Sequence, residues 1–374
     1  MPTRTVRASV ALPEHNLDLL RALAVSSVLG FHLLLSQHVR GVTWLGRVGV
    51  LAFFVHTSVV LLSSLERTGR ERGWVGSFYL RRAFRIYPLS VATILFVLAL
   101  RIPPMVPVAG LLQRYANPHW VTVATNLLLV QNLAGQPDLT SVLWTLPLEV
   151  QMYVVLPLCW LAARRGVSVV VGLLLLSVAG GLLWHATIVP GLWRVNVLMF
   201  GPCFMAGVLF HAFRVRGPRL PTAPAWLWPI VLIALGALFW QPDADTASPW
   251  PQWIFCLALA LALLVVGDAR PSWVTRASKQ IATYSYGCYL LHNVVIWYAF
   301  VQLRNAAPFI RWGVFVSGVL VLPWVAYHAV EQPGIRLGQR LVRRRQGRLA
   351  APMDEVLATA PQQAPETAAT APAP

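Results

Sequence analysis

Apolar residues along this chain come in long unbroken blocks, not in the alternating or three-to-four-residue stripes of a soluble fold. The blocks run roughly 16 to 23 residues, the length a helix rising 1.5 Å per residue needs to cross about 30 Å of hydrocarbon. They fall near 17–36, 46–65, 83–101, 141–163, 167–186, 195–213, 226–241, 252–268, 281–302 and 310–329. The pattern predicts an all-α polytopic bundle of about ten transmembrane helices, because helices satisfy their own backbone groups in lipid. The segment 102–140 between the third and fourth blocks opens with Ile102-Pro103-Pro104 and contains one short apolar stretch, Val121–Leu133. That stretch is too short to span and is expected as an interfacial or partly inserted helix. Residues 1–14 read as a cytoplasmic lead-in and 15–340 as one membrane domain. The tail, 341–374, is first basic and then Ala/Pro-rich, and is expected to be disordered from 349 onward. No internal repeat is visible, which weighs against the inverted-repeat transporter plan.

Composition agrees and adds orientation. Only 11% of residues are charged and 57% are hydrophobic, against about 25% charged in a soluble domain. The formal charge of +17 would suit a nucleic-acid binder, but most of the Lys and Arg lie at alternate block ends. That is the positive-inside bias, and it places both termini in the cytoplasm. The basic partner is then membrane lipid and not nucleic acid, and the chain is expected in the inner (plasma) membrane as a multi-pass protein. Cys159, Cys203, Cys256 and Cys288 all sit inside apolar blocks with no CxxC spacing, so they read as core residues and no metal site is implied. No cleavable signal is expected, since the first apolar run is span-length and lacks a small-residue cleavage site.

Ionisable groups inside spans cost roughly 2.5–3.5 kcal/mol on insertion scales and therefore mark candidate function. Here they are Asp18, Arg21 and His32 in the first span, His56 in the second, Glu149 in the fourth, His292 in the ninth and His328 near the end of the tenth. Arg21 and His32 lie about 16 Å apart along a helix and within roughly 20° of one face. Arg82 and Arg85, spaced i, i+3 at the inner end of the third span, point the same way and suit phosphate oxygens; positive-inside anchoring is the plain alternative. Glu149, in an apolar helix, needs a partner. His32 is the candidate, as both occupy the outer half of their spans, and a carboxylate-held imidazole suits general-base work on a hydroxyl.

These residues sit in segments that resemble the acyltransferase-3 membrane proteins. Leu17-Asp18-Leu19-Leu20-Arg21 followed by His32 resembles that family's Arg-x10-His first span. Arg82 to Arg85, continued by Ile86-Tyr87-Pro88, resembles its RxxR element. Trp144–Tyr153 is similar to its Trp-Ser-Leu-x-x-Glu-x-x-Phe-Tyr segment, Ser285–His292 to its Ser-Tyr-x-x-Tyr-Leu-x-His stretch, and His328–Pro333 to its closing His-x-x-Glu-x-Pro. The five matches run in family order over about 17–336. Leu51 stands where the family has an acid, Thr57-Ser58 where it has Ser-Gly, and Val150 where many members have a second Glu.

The resemblance implies an O-acyltransferase that moves an acyl group, by default acetyl, from cytoplasmic acyl-CoA to a hydroxyl of a glycan, glycolipid or related acceptor. A secondary metabolite is the alternative acceptor. His32 and Glu149 would be catalytic; Arg21, Arg82, Arg85, Trp144, Tyr289 and His292 would bind substrate. No metal and no tightly bound cofactor is implied. The rival readings are a transporter or flippase for an anionic lipid or glycan using the same arginines, and a silent scaffold in glycan assembly.

Overall fold

Inside hydrocarbon a backbone finds no water, so each apolar run closes its own hydrogen bonds as a helix. The computed structural model describes residues 13–69, 71–103, 118–187, 196–218, 220–237 and 248–359. Among these residues the regular elements are helices, with one isolated bridge between Ala223 and Val266. In chain order they are α1 (Glu14–Ser36), α2 (Thr43–Thr68), α3 (Trp74–Ala99), α4 (Trp120–Leu127), α5 (Leu146–Arg165), α6 (Val167–Thr187), α7 (Val197–Arg216), α8 (Trp228–Ala237), α9 (Trp250–Val265), α10 (Trp273–Trp297), α11 (Pro308–Ala326) and α12 (Gln332–Thr359). Single π-helical turns, Tyr298–Gln302 and Tyr327–Glu331, follow α10 and α11.

Seven helical stretches among the described residues are long and apolar enough to cross a membrane: α1, α2, α3, α5 with the short turn before it, α6, α7, and α11 continued into α12. The ten-span reading also counts α8 and α9, which are apolar but shorter. It further counts α10, which is long enough but carries Arg276, Lys279 and several hydroxyls. Pro88, Pro157, Pro202 and Pro323 lie within helices, as membrane helices allow because neighbours re-satisfy the freed carbonyls.

The bundle is ordered by burial. The most apolar windows of α2 and α7 are each 72% buried, whereas that of α6 is 17% buried. α2 and α7 are therefore the centre, and α6 shows Leu175, Leu176 and Leu183 to the surroundings. The centre packs closely because its seam is small: a Cβ added at Gly207 of α7 would lie 2.6 Å from the Val55 carbonyl oxygen of α2. Around it, α1 packs between α2 and α10, α10 packs on α11, α5 on α7, and α12 folds back along α3.

The stretch expected as an interfacial helix is helical only over Trp120–Leu127. It then turns at Leu129, where φ is +56°, and returns as a cap tied to α3 through Tyr87 and to α10 through Tyr289 and Asn293. Asn126 fixes the return, donating to the Thr122 and Pro137 carbonyls (2.8 and 2.9 Å) and accepting from the Leu139 amide (3.0 Å). Leu129, Leu139, Val142 and Leu143 are buried beneath it. At the chain's far end, α12 stays helical to Thr359, so residues 349–359 are not the unstructured segment expected from their composition. Residues 360–374 lie outside the described residues.

Candidate active site

A cavity of about 110 Å³ lies between α1, α2, α3, α5 and α10. Its polar lining is Arg21 from α1, His56 and Thr57 from α2, Arg82 and Arg85 from α3, Thr145 from the turn before α5, Glu149 and Tyr153 from α5, and Ser285, Tyr286 and Tyr289 from α10. The sequence spacing accounts for part of this. Arg82 and Arg85 share one face of α3, as i, i+3 neighbours do, and both reach the cavity.

Charge dominates one end of it. Arg21, Arg82 and Arg85 all act electrostatically on Glu149, whose Oε2 accepts a hydrogen bond from Tyr153 at 2.8 Å. Arg85 is ion-paired with Glu331 and lies 5.7 Å from the centre of the Tyr286 ring. Tyr286 in turn donates to the Ile86 carbonyl at 2.9 Å, tying α10 to α3. Three guanidinium groups thus gather about Glu149, and one of them, Arg85, is also paired with Glu331. The Nε atoms of Arg21 and Arg82 are buried without a hydrogen-bond partner. A site of this kind is stabilised by an anion that supplies oxygen acceptors.

Glu331 was not among the site residues expected from the sequence. Its signal was the single acid in His328-Ala329-Val330-Glu331-Gln332-Pro333. It is 1% exposed and sits on the π-helical turn after α11, an irregularity that often accompanies functional positions. His56, noted from sequence only as a costly group in its span, also lines the cavity.

Towards the cap the chemistry changes. Tyr289 donates to the Val142 carbonyl (3.0 Å) and accepts from the Thr145 hydroxyl (2.7 Å), latching α10 to the cap. One turn further along α10, the His292 ring centre lies 6.3 Å from that of Tyr289. There Nε2 of His292 is 3.1 Å from Nδ1 of His32. The same Nδ1 lies 3.0 Å from the Val28 carbonyl, and His292 Nδ1 lies 3.0 Å from the Cys288 carbonyl. Both histidines are buried.

The expected pairing of His32 with Glu149 is therefore corrected. Similar depth in two spans does not fix the direction a side chain takes around its helix. Glu149 turns to Tyr153 and the arginines, and His32 turns to His292. Trp144, expected to bind substrate, packs tilted against Phe200 with ring centres 5.6 Å apart and does not line the cavity. Arg21, Arg82, Arg85 and Tyr289 do line it, and His292 lies just beyond. Of the departures from the acyltransferase-3 pattern, Leu51 is buried in the core and Thr57 faces the cavity, while Val150 does not line it.

Among the described residues, no group of three or more His, Cys, Asp or Glu could hold a metal ion. The four cysteines are free.

Comparison with known proteins places the arrangement. Residues 14–328 match the family model described as an acyltransferase domain. Nodulation protein 10 of Rhizobium leguminosarum bv. viciae is 26% identical over 367 residues, covering 89% of this chain and 96% of its own. Acyltransferase MdmB of Streptomyces mycarofaciens is 24% identical over 347 residues, covering 79% and 82%. No solved structure matches the chain. The family match takes in all the cavity-lining residues together with the His32–His292 pair, and the chain belongs to the acyltransferase-3 family of multi-pass membrane O-acyltransferases.

Proposed function

We propose that the enzyme takes its acyl group from acyl-CoA, acetyl-CoA by default, and passes it to a hydroxyl of a glycan or glycolipid. The observation that carries this reading is the cavity's polarity along its length. Half-buried arginines, two of them with buried Nε atoms that lack a partner, occupy one end, and a pair of hydrogen-bonded imidazoles lies just past the other. Arg21, Arg82 and Arg85 hold the phosphates of CoA, for which planar guanidinium groups are suited. Arg21 and His32 are about 16 Å apart along α1, so an extended pantetheine arm running beside α1 brings its thioester towards His32.

His32 acts as the base on the acceptor hydroxyl. A hydroxyl is a weak nucleophile at neutral pH, and a base at the reacting oxygen is worth about 10²–10⁴-fold in rate. The acceptor enters from the cap, where the amide oxygens of Gln131, Gln151 and Asn293 are buried without partners and would accept bonds from sugar hydroxyls. A secondary metabolite rich in hydroxyls meets the same requirement. The arginine end faces the cytoplasm, where acyl-CoA is held, and the cap faces outward across the inner membrane, with both termini cytoplasmic; the excess of arginine at the arginine end supports this. The protein needs no metal or tightly bound cofactor for this chemistry.

The test is thiol release. Purified protein in lipid nanodiscs with acetyl-CoA should liberate free CoA thiol, and faster when a hydroxyl acceptor is added. Binding of an anionic lipid or glycan without any thiol release would replace the enzyme with a carrier. A reporter fused after Ala350 should be active only in the cytoplasm; activity on the other side would reverse the orientation.

A further inference from the structure

The hydrogen positions of the histidine pair follow from its partners. A backbone carbonyl can only accept, so His292 Nδ1, 3.0 Å from the Cys288 carbonyl, carries hydrogen. Neutral His292 then presents a lone pair at Nε2. His32 Nδ1 faces that lone pair at 3.1 Å and the Val28 carbonyl at 3.0 Å, two acceptors, so it carries hydrogen as well. Neutral His32 is left with its lone pair at Nε2 alone. Catalytic histidines are ordinarily held in this tautomer by a carboxylate; here an imidazole occupies that place, and Glu149 belongs to the arginine cluster.

We infer that His292 is a positioning residue for His32, fixing its reactive tautomer and sharing the charge that forms when His32 takes a proton. The inference rests on His32 being the base. In the step, the acceptor O–H proton passes to His32 Nε2 while the acceptor oxygen bonds to the thioester carbon. The C–S bond then breaks, and the proton on Nε2 passes to the departing sulfur, giving an ester and a free thiol. While His32 is an imidazolium, its Nδ1–H bond to the His292 lone pair is charge-assisted and stronger than in the resting state. The stabilisation is thus larger along the reaction than before it, and acts on turnover more than on donor binding. Because His292 is itself neutral, the pair adds no fixed charge to the apolar interior beside the cap.

The experiment compares His32→Ala, His292→Phe, His292→Leu and His292→Gln, using acetyl-CoA as donor and either p-nitrophenyl β-glucopyranoside or water as acceptor. Phe and Leu remove the acceptor atom, whereas the Gln carbonyl can accept from His32 Nδ1. Acetyl-CoA binding to each variant reports that it is inserted and folded. The expected result is a kcat lowered about 10- to 100-fold in the Phe and Leu variants, part of what a general base supplies. KM for acetyl-CoA should be unchanged, and turnover partly recovered in the Gln variant. Equal loss in Phe, Leu and Gln, or a loss carried in KM, would reduce His292 to a packing residue. Normal turnover in the Phe variant beside an inactive His32→Ala would overturn the positioning role alone. Normal turnover in His32→Ala would overturn the base assignment on which it stands.

Discussion

At one end of the cavity three guanidinium groups converge on two carboxylates. About three helical turns along α1, two imidazoles bond to each other and to backbone carbonyls. Both ends put polar groups where insertion is costly, but they offset that cost differently. The arginine end leaves the Nε atoms of Arg21 and Arg82 without acceptors, which suits an anion that comes and goes. The histidine end, on the proposed reading, is neutral at rest and forms charge only when a proton moves. If the arginines bind the donor and His32 does the chemistry, as proposed, the two are separated along α1, and substitutions at the two ends should divide cleanly between affinity and turnover.

The largest effect should come from His32→Ala, with kcat for thioester-dependent transfer falling by about 10²–10⁴-fold. Next, Arg82→Ala should raise the Kd for acetyl-CoA by roughly 10- to 100-fold through loss of about 1.5–3 kcal/mol of charge-assisted bonding, with lysine restoring only part. Equal effects of both variants on Kd, measured by calorimetry, would erase the distinction between the ends.

Arg85→Ala sharpens the comparison because it also strands Glu331. Removing one member of a buried ion pair costs about 3–5 kcal/mol, so this variant should lose thermal stability as well as donor affinity. Adding Glu331→Gln should recover the stability and not the affinity. Recovery of both would mean that Arg85 serves the fold alone.

Glu149→Gln should be milder. Its carboxylate meets Tyr153 and the arginines, not His32, so donor affinity should change while the acid limb of the pH–rate profile stays where it is in the wild type. A displaced limb would reinstate a link between Glu149 and the base.

The smallest effect belongs to the cap. Burial raises the Asp138 carboxyl from 3.8 to about 6, opposed by the hydrogen bond it accepts from Gln131. The folded cap therefore binds a proton that the unfolded chain has already released between those values. Its contribution to stability is full below about pH 4 and is lost as pH rises towards 6. Thermal unfolding followed from pH 4 to 7 should show a declining midpoint, and Asp138→Asn should flatten it. An unchanged slope in the variant would assign the trend to another group.

Much of this was legible in the sequence, and what was not has a geometric cause. The length of the apolar blocks gave the bundle. Arg21 and Glu149 stood out because each is costly where it lies, Arg82 and Arg85 because of their i, i+3 spacing, and the structure gathers all four round one cavity. Which groups touch is another matter. His32 and Glu149 share a depth, but depth leaves the rotation of each helix free, and the partner His292 is 260 residues away in the chain. Glu331 was read only as part of the closing motif and given no role, because the packing of the turn after α11, which buries it against Arg85, is not visible in the sequence. The cap was hidden for a similar reason: Leu129 at positive φ and the bonds of Asn126 make a turn that no periodicity announces.

The central claim is that donor binding and proton transfer occupy opposite ends of one site. Titration of acetyl-CoA into His32→Ala, with thiol release followed in the same sample, tests it most directly. The account predicts wild-type affinity with turnover reduced by at least about 100-fold. Affinity lost in step with turnover, or turnover retained, would contradict it.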